Sequence, residues 1–164
     1  MTTELAQSIA KTTRFMPNLA NLLCDDIPED KFASMFGTSI NHPAFILGHI
    51  SYYSAFCVGL LGGSPEFEDG EAELYQVGVD CKDGGAYPSK ETLLKHFKDR
   101  CEFAASFIES CSQDTLSASA NDTPFAERFD TLGQVASFML TSHPSFHFGQ
   151  LSGWRRIAGM GSAT

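Results

Sequence analysis

Two histidines near the C-terminal end of the chain are four positions apart. His143 and His147 stand in the segment HPSFHFGQ, and four residues advance an α-helix by about 400°, so both imidazoles would project from one face. Two such imidazoles can bind one metal ion. The spacing alone is a weak indication, because HxxxH pairs are common. The zinc-protease motif is excluded, since Pro144 stands where that motif needs a glutamate to act as base.

A third histidine lies on the predicted inward face of another helix. That face is formed by Phe45, His49, Tyr52 and Phe56. Three uncharged imidazoles buried among aromatic rings would leave hydrogen-bonding groups without partners, whereas one shared cation satisfies all three lone pairs. The sequence therefore predicts a metal site made of His49, His143 and His147.

The ligand set indicates which metals the site would favour. Three neutral nitrogen ligands leave at least one position for water or substrate, as in catalytic zinc sites. Imidazole suits zinc or nickel best here, with iron or copper as alternatives, and no carboxylate lies at ligand spacing to favour magnesium.

The other two histidines fall outside this set. His42 precedes His49 by seven residues, about 10 Å along a helix axis, which is too far to share the ion easily. We assign His42 to the start of the helix, and the alternative is that it lines the mouth of the site. His96 lies on the polar side of the third predicted helix, where we expect it to be solvated.

The first two predicted helices are bounded by proline and glycine. Residues 3–23 have apolar positions at helical spacing, with Pro17 expected to bend or break the helix. The second helix should begin with Asn41 as its N-cap and end at Gly62.

The last two helices carry the clearest periodicity. Ser89 should cap the third helix, and its inward face reads Leu94, Phe97, Cys101, Ala104, Ile108 and Cys111. The fourth helix should cover residues 131–157. Pro144 predicts a kink or restart within it, capped by Thr141 or Ser142.

These elements predict an all-α fold, an antiparallel four-helix bundle in one domain over residues 1–164. The connection of residues 62–89 lies between helices two and three and is far longer than a usual helix connection, so we expect it to be functional or mobile. One hypothesis makes it a gate over the metal, so that a short linker in place of residues 66–83 would leave a folded, metal-loaded bundle. The alternative is that Phe67, Leu74, Tyr75 and Val77 pack into the core.

Composition excludes several functional classes. The net charge of −9 repels phosphate backbones and anionic lipids, so we expect neither a nucleic-acid nor a membrane partner. No apolar run approaches the roughly 20 residues of a membrane span, and the N-terminal segment lacks the apolar stretch of a signal peptide. We therefore expect a cytoplasmic protein, with its five cysteines as reduced thiols.

The segments NHPAFILGHISYY and HPSFHFGQLSGWRRIAGM resemble the DinB-like metal-binding bundle family. The HxxxHxGQ core with its trailing Arg-Arg is the specific part, and YPSKETLL is similar to one branch. The resemblance spans essentially the whole chain. It implies metal ligands at His49, His143 and His147, and in some relatives a transferase or isomerase activity that uses a small thiol.

Two functions remain open at this stage. In the first, an enzyme, the metal lowers the pKa of a small thiol that attacks a small electrophile arriving past the 62–89 connection. Tyr52 or Tyr53 would stand near the mouth, and Gln150 would either support a ligand or bond to a neighbouring backbone. The second function is a non-catalytic stress-response metal-binding or sensing domain. In either case we expect a homodimer, because Trp154 and the many phenylalanines exceed the needs of one small core.

Overall fold

Helices make up the regular structure of the chain. A computed structural model describes residues 3–163, and over that range it has no β-strand, only one isolated bridge between Ser119 and Thr131. The all-helical class predicted from the sequence is confirmed. The α-helices are α1 Glu4–Cys24, α2 Pro43–Leu60, α3 Glu71–Tyr75, α4 Lys90–Ser110, α5 Gln113–Ser117, α6 Leu132–Ser137 and α7 His143–Ile157. A 3-10 turn covers Glu29–Lys31, and a π-helical turn covers Phe138–Ser142.

Helix α1 runs unbroken through its internal proline. Thr3 caps it by accepting a hydrogen bond from the N–H of Ala6 at 3.1 Å. Pro17 has no N–H and so removes one helical hydrogen bond, yet the helix continues to Cys24. The break that the sequence allowed at this proline is absent.

Helix α2 begins one residue later than predicted. Its N-cap is His42 rather than Asn41, because the His42 Nδ1 accepts the hydrogen bond of the Phe45 N–H at 3.1 Å. Pro43 then occupies the first turn, where its missing N–H costs little. The expected place of His42 at the start of the helix is confirmed.

The composition of α2 is that of a core helix. Its 18 residues have a mean hydropathy of 1.3 and are long and apolar enough to cross a membrane, although the sequence indicated no such run. In this fold, 72% of that window is buried inside the protein. The apolar character of α2 therefore serves packing, against α3, α4 and α7.

Helix α4 has the predicted cap and nearly the predicted face. The Ser89 hydroxyl accepts a hydrogen bond from the Thr92 N–H at 3.2 Å. At the start of the helix, Leu93 is buried and the predicted Leu94 is only half-buried. The buried face therefore begins one residue earlier than predicted. The rest of the buried face is Phe97, Cys101, Ala104, Ala105 and Ile108.

The fourth predicted helix is helical throughout but not uniform. Thr131 caps α6 in a capping box with Gln134, and the π-helical turn joins α6 to α7 without a break in the helical path. His143 and His147 follow this turn directly. They fall between Leu140 and Phe148, which belong to two different clusters of the hydrophobic core.

The expected disturbance near Pro144 takes the form of this π-helical turn. Pro144 is in the first turn of α7, so its missing N–H lies next to the turn. The predicted cap is wrong: Ser142 has helical backbone angles and makes no capping hydrogen bond. The Thr141 hydroxyl instead donates back to the carbonyl of Ser137.

The cysteines are free thiols within the described residues. Cys101 and Cys111 are buried, as their apolar spacing predicted. Burial raises the pKa of the Cys24 and Cys57 thiols to about 12, so neither is a ready nucleophile at neutral pH.

The long connection between α2 and α4 contributes to the core. It contains α3, and the Tyr75 side chain at the end of α3 is only 3% exposed. Leu74 is half-buried, whereas Phe67 and Val77 are 43% and 82% exposed. The alternative that these residues pack into the core is thus correct for Tyr75 and partly correct for Leu74. It is wrong for Phe67 and Val77.

Candidate metal centre

The three predicted histidines meet between α2 and α7. The Nε2 atom of His143 lies 3.1 Å from the Nε2 of His49 and 3.1 Å from the Nε2 of His147. One ring nitrogen from each residue falls within 4.8 Å of the other two, a spacing at which all three can bind one metal ion. Helical geometry brings His143 and His147 together, and packing of α2 against α7 adds His49.

Two of the imidazoles are oriented by hydrogen bonds from the Nδ1 atom, on the side of the ring away from the centre. The His49 Nδ1–H donates to the backbone carbonyl of Tyr75 at 2.7 Å. The His147 Nδ1–H donates to Oε1 of Gln150 at 2.9 Å. A neutral imidazole carries one ring proton, so these bonds leave the Nε2 of both rings as bare lone pairs. Acceptors behind the ring are the usual partners of metal-binding histidines.

The third imidazole shows that the arrangement fits a cation. The His143 Nε2 faces the Nε2 lone pairs of both His49 and His147. If the His143 Nε2 carries a proton, that N–H can donate to only one of the two. The His143 Nδ1 is buried and has no hydrogen-bond partner among the described residues. Protein hydrogen bonds alone therefore leave one Nε2 lone pair, of either His49 or His147, unsatisfied in addition to the His143 Nδ1. A metal ion at the centre of the three Nε2 atoms would satisfy every lone pair that faces it.

The electrostatics of the centre favour neutral rings. Burial, with the neighbouring histidines, lowers the pKa of His143 to about 3. Burial likewise lowers the pKa of His147 to about 4 and lowers that of His49. At neutral pH the three rings are thus unprotonated, which is the state that binds metal.

The Tyr75 carbonyl reaches His49 because α3 lies directly on α2. The ring of Tyr75 covers Gly48, where an added Cβ would lie 2.1 Å from its Cε1 and Cζ atoms. Only glycine permits this close approach. The other end of α3 is held by an ion pair between Glu71 and Arg100 of α4, with Nη2 and Oε2 2.8 Å apart. Glu71 is 6% exposed, so this contact is largely shielded from water.

An open cavity of about 510 Å³ lies beside the histidines. His49 and His143 form part of its lining, so a molecule in the cavity could reach the centre. Tyr52 and Tyr53 also line it, which confirms their expected place near the mouth. The remaining lining residues are Phe56, Gln76, Val77, Pro124, Phe125, Glu127, Arg128, Phe138 and Met139.

The other histidines stay outside the centre. His42 is fully buried at the start of α2, and its Nε2–H donates to the carbonyl of Lys82 at 3.1 Å. It does not line the cavity. His96 is half-buried on α4 and lines a separate surface groove with Lys95 and Asp99.

Several contacts of the candidate centre were missed by the sequence reasoning. The Tyr75 carbonyl is a backbone atom, which has no side-chain signature, although a glycine within an apolar helix at Gly48 could have indicated a close contact. The cavity wall around Phe125 and Arg128 comes from a polar connection without periodicity. Gln150 was found, and of its two alternatives the structure shows the contact with His147, a candidate ligand, rather than a bond to a neighbouring backbone.

Comparison of the chain with protein-family models gave no match, and comparison with curated proteins gave no significant match. The geometry of the histidines and the cavity, together with the sequence motifs, is therefore the basis for assigning a function.

Proposed function

We propose that this chain binds one divalent transition-metal ion through His49, His143 and His147, at a centre that small molecules reach through the adjacent cavity. The observation that carries the proposal is the convergence of three Nε2 atoms whose rings are oriented by Tyr75 and Gln150. Zinc or nickel suits three imidazoles best, with iron or copper as alternatives.

The cavity favours a catalytic metal site over a site whose metal only stabilises the fold. A structural zinc site is closed, whereas His49 and His143 here border open space. An ion of this kind, when bound, lowers the pKa of a coordinated water or thiol and so supplies a nucleophile at neutral pH. Tyr75 and Gln150 fix the tautomers of His49 and His147. The rings of Tyr53 and Phe138 lie beside His143.

The sequence resemblance is what suggests a substrate class and a family. We propose that the chain is a DinB-like antiparallel four-helix bundle. Its reaction would be either the transfer of a small thiol to a small electrophile or the isomerisation of such an electrophile. The four long helical segments and the histidine positions support this assignment. A homodimer and a cytoplasmic location stay predictions.

Metal analysis of purified variants tests the proposal. We expect about one ion per chain in the unmodified protein, most of it lost in His143→Ala and His147→Ala and part of it in His49→Ala, because each change removes one of three ligands. His96→Ala is the matched control, since this histidine lies outside the centre, and it should keep its metal. Unchanged metal content in all three ligand variants would refute the site.

Activity separates the two functions once metal binding is established. Zinc- and nickel-loaded protein is incubated with a panel of small thiols and a chromogenic aryl chloride, and the release of chloride is measured. We expect thioether formation that is lost in the His143→Ala variant. Metal binding without conjugation of any thiol would favour the non-catalytic sensing domain.

A further inference from the structure

The cavity beside the histidines has a distinct chemical character. Most of its wall is apolar, and aromatic rings dominate it: Tyr52, Tyr53, Phe56, Phe125 and Phe138. Ligand pockets of about 300–1,000 Å³ that are lined in this way hold small organic molecules, and a cavity of about 510 Å³ lies in that range.

The rings form two groups that meet at a metal-ligand candidate. Tyr53 of α2 lies 5.6 Å from the His143 ring, and Phe138 of the π-helical turn lies 5.9 Å from it, centre to centre. Tyr53 continues to Phe56 at 5.6 Å, and Phe138 continues to Phe125 at 6.4 Å. A planar molecule in the cavity would therefore meet ring faces and edges from both groups, at the centre itself.

In the metal-free protein, the one carboxylate and the one guanidinium of the lining cancel in formal charge. Glu127 and Arg128 are neighbours of opposite charge, both exposed at the protein surface. No net charge is thus present to offset the loss of hydration of an ionic guest.

We infer that this cavity is a binding site for uncharged aromatic small molecules. The inference rests on and deepens the proposed function, since it assigns to the substrate a ring-sized aromatic body, while the preference for an uncharged molecule is that of the metal-free cavity. Binding itself needs only the cavity walls, so it should also occur in metal-free protein.

The Met139 side chain offers a direct reporter. Met139 lines the cavity and is 2% exposed, and the chain has only five methionines. Isotope labelling of the methionine methyl groups gives few NMR signals, and Met139→Leu identifies the relevant one. The full chain without metal is titrated with β-naphthol and, separately, with β-naphthoate, which has the same rings and a negative charge.

We expect β-naphthol to shift the Met139 signal and to bind about tenfold more tightly than β-naphthoate, because the carboxylate loses hydration without a dedicated partner. Phe125→Ala should weaken β-naphthol by up to about tenfold, the range of a single aromatic contact. Phe103→Ala, on an exposed part of α4, should leave the affinity unchanged.

Three results would overturn the inference. They are the absence of any Met139 shift at saturating β-naphthol, equal or tighter binding of β-naphthoate, and an unchanged affinity in folded Phe125→Ala. If β-naphthoate binds more tightly and Arg128→Gln abolishes the difference, the site selects anions. Failure of the metal site would instead appear in metal analysis and would leave this titration unaffected.

Discussion

Gly48→Ala adds one methyl group to α2 at the point where the Tyr75 ring covers the helix. The new Cβ would lie 2.1 Å from two ring carbons, whereas carbon atoms in contact are about 3.5–4.0 Å apart. The ring must therefore move by about 1.5 Å. Tyr75 is 3% exposed, so this movement disturbs a packed core.

Two opposing effects decide the sign of the stability change. Alanine is favoured over glycine inside a helix by about 0.5–1 kcal/mol. Overpacking a core costs about 1–3 kcal/mol. We expect the second effect to prevail, so that the free energy of unfolding of metal-free Gly48→Ala falls by about 1–2 kcal/mol.

The same movement should weaken metal binding. Displacing Tyr75 shifts the carbonyl that accepts the hydrogen bond of His49 Nδ1. Loss of such a supporting contact typically lowers metal affinity about 10- to 100-fold. Urea unfolding of the metal-free protein gives the stability, and competition with a chelator of known zinc affinity gives the binding.

The matched control lies in the same helix. At Gly59 an added Cβ would have Pro65 as its nearest neighbour, at an ordinary 3.7 Å. We expect Gly59→Ala to keep or slightly raise stability, without an effect on zinc. If Gly48→Ala behaves like this control in both assays, Tyr75 neither fixes α3 on α2 nor orients His49.

Two further predictions concern the histidine rings. Gln150→Leu removes the acceptor behind His147 and should lower zinc affinity about 10- to 100-fold, whereas Gln150→Glu keeps an acceptor and should retain binding; equal affinities by chelator competition would contradict this role. The pKa of His143 is about 3 in the folded state, below the usual value of about 6.5 in an unfolded chain. As pH falls below about 6.5, the unfolded chain therefore gains protons that the folded metal-free protein does not, so stability should fall toward pH 4. The pH dependence of the urea midpoint should be shallower in His143→Gln, and an identical slope would refute this assignment.

Sequence reasoning succeeded where the physical cause is local. The four-residue spacing of His143 and His147 places them on one face of any helix, and Ser89 caps α4 because its hydroxyl reaches the N–H three residues later. His49 was found because an imidazole on an apolar helical face points toward the core. The juxtaposition of the three histidines thus depends mainly on periodicity.

Prediction failed where one residue changes the local geometry. The choice between Asn41 and His42 as N-cap depends on a single side chain, and here an imidazole nitrogen accepts the capping hydrogen bond that an amide oxygen was expected to accept. The π-helical turn before His143 is likewise not visible in the apolar pattern, since Pro144 indicates a disturbance without defining its kind.

The connection of residues 62–89 shows a different limit. Its lack of periodicity suggested a mobile gate, yet the informative residue lies outside it, in α2. A glycine in an apolar core helix is unfavourable unless another group needs the space, and the Tyr75 ring occupies that space. A linker replacing residues 66–83 would remove Tyr75 from the core and its carbonyl from His49, together with the ion pair of Glu71 with Arg100. This connection therefore contributes to the candidate metal centre, and from these contacts we expect the deletion variant to lose stability and metal affinity, in contrast to the gate hypothesis.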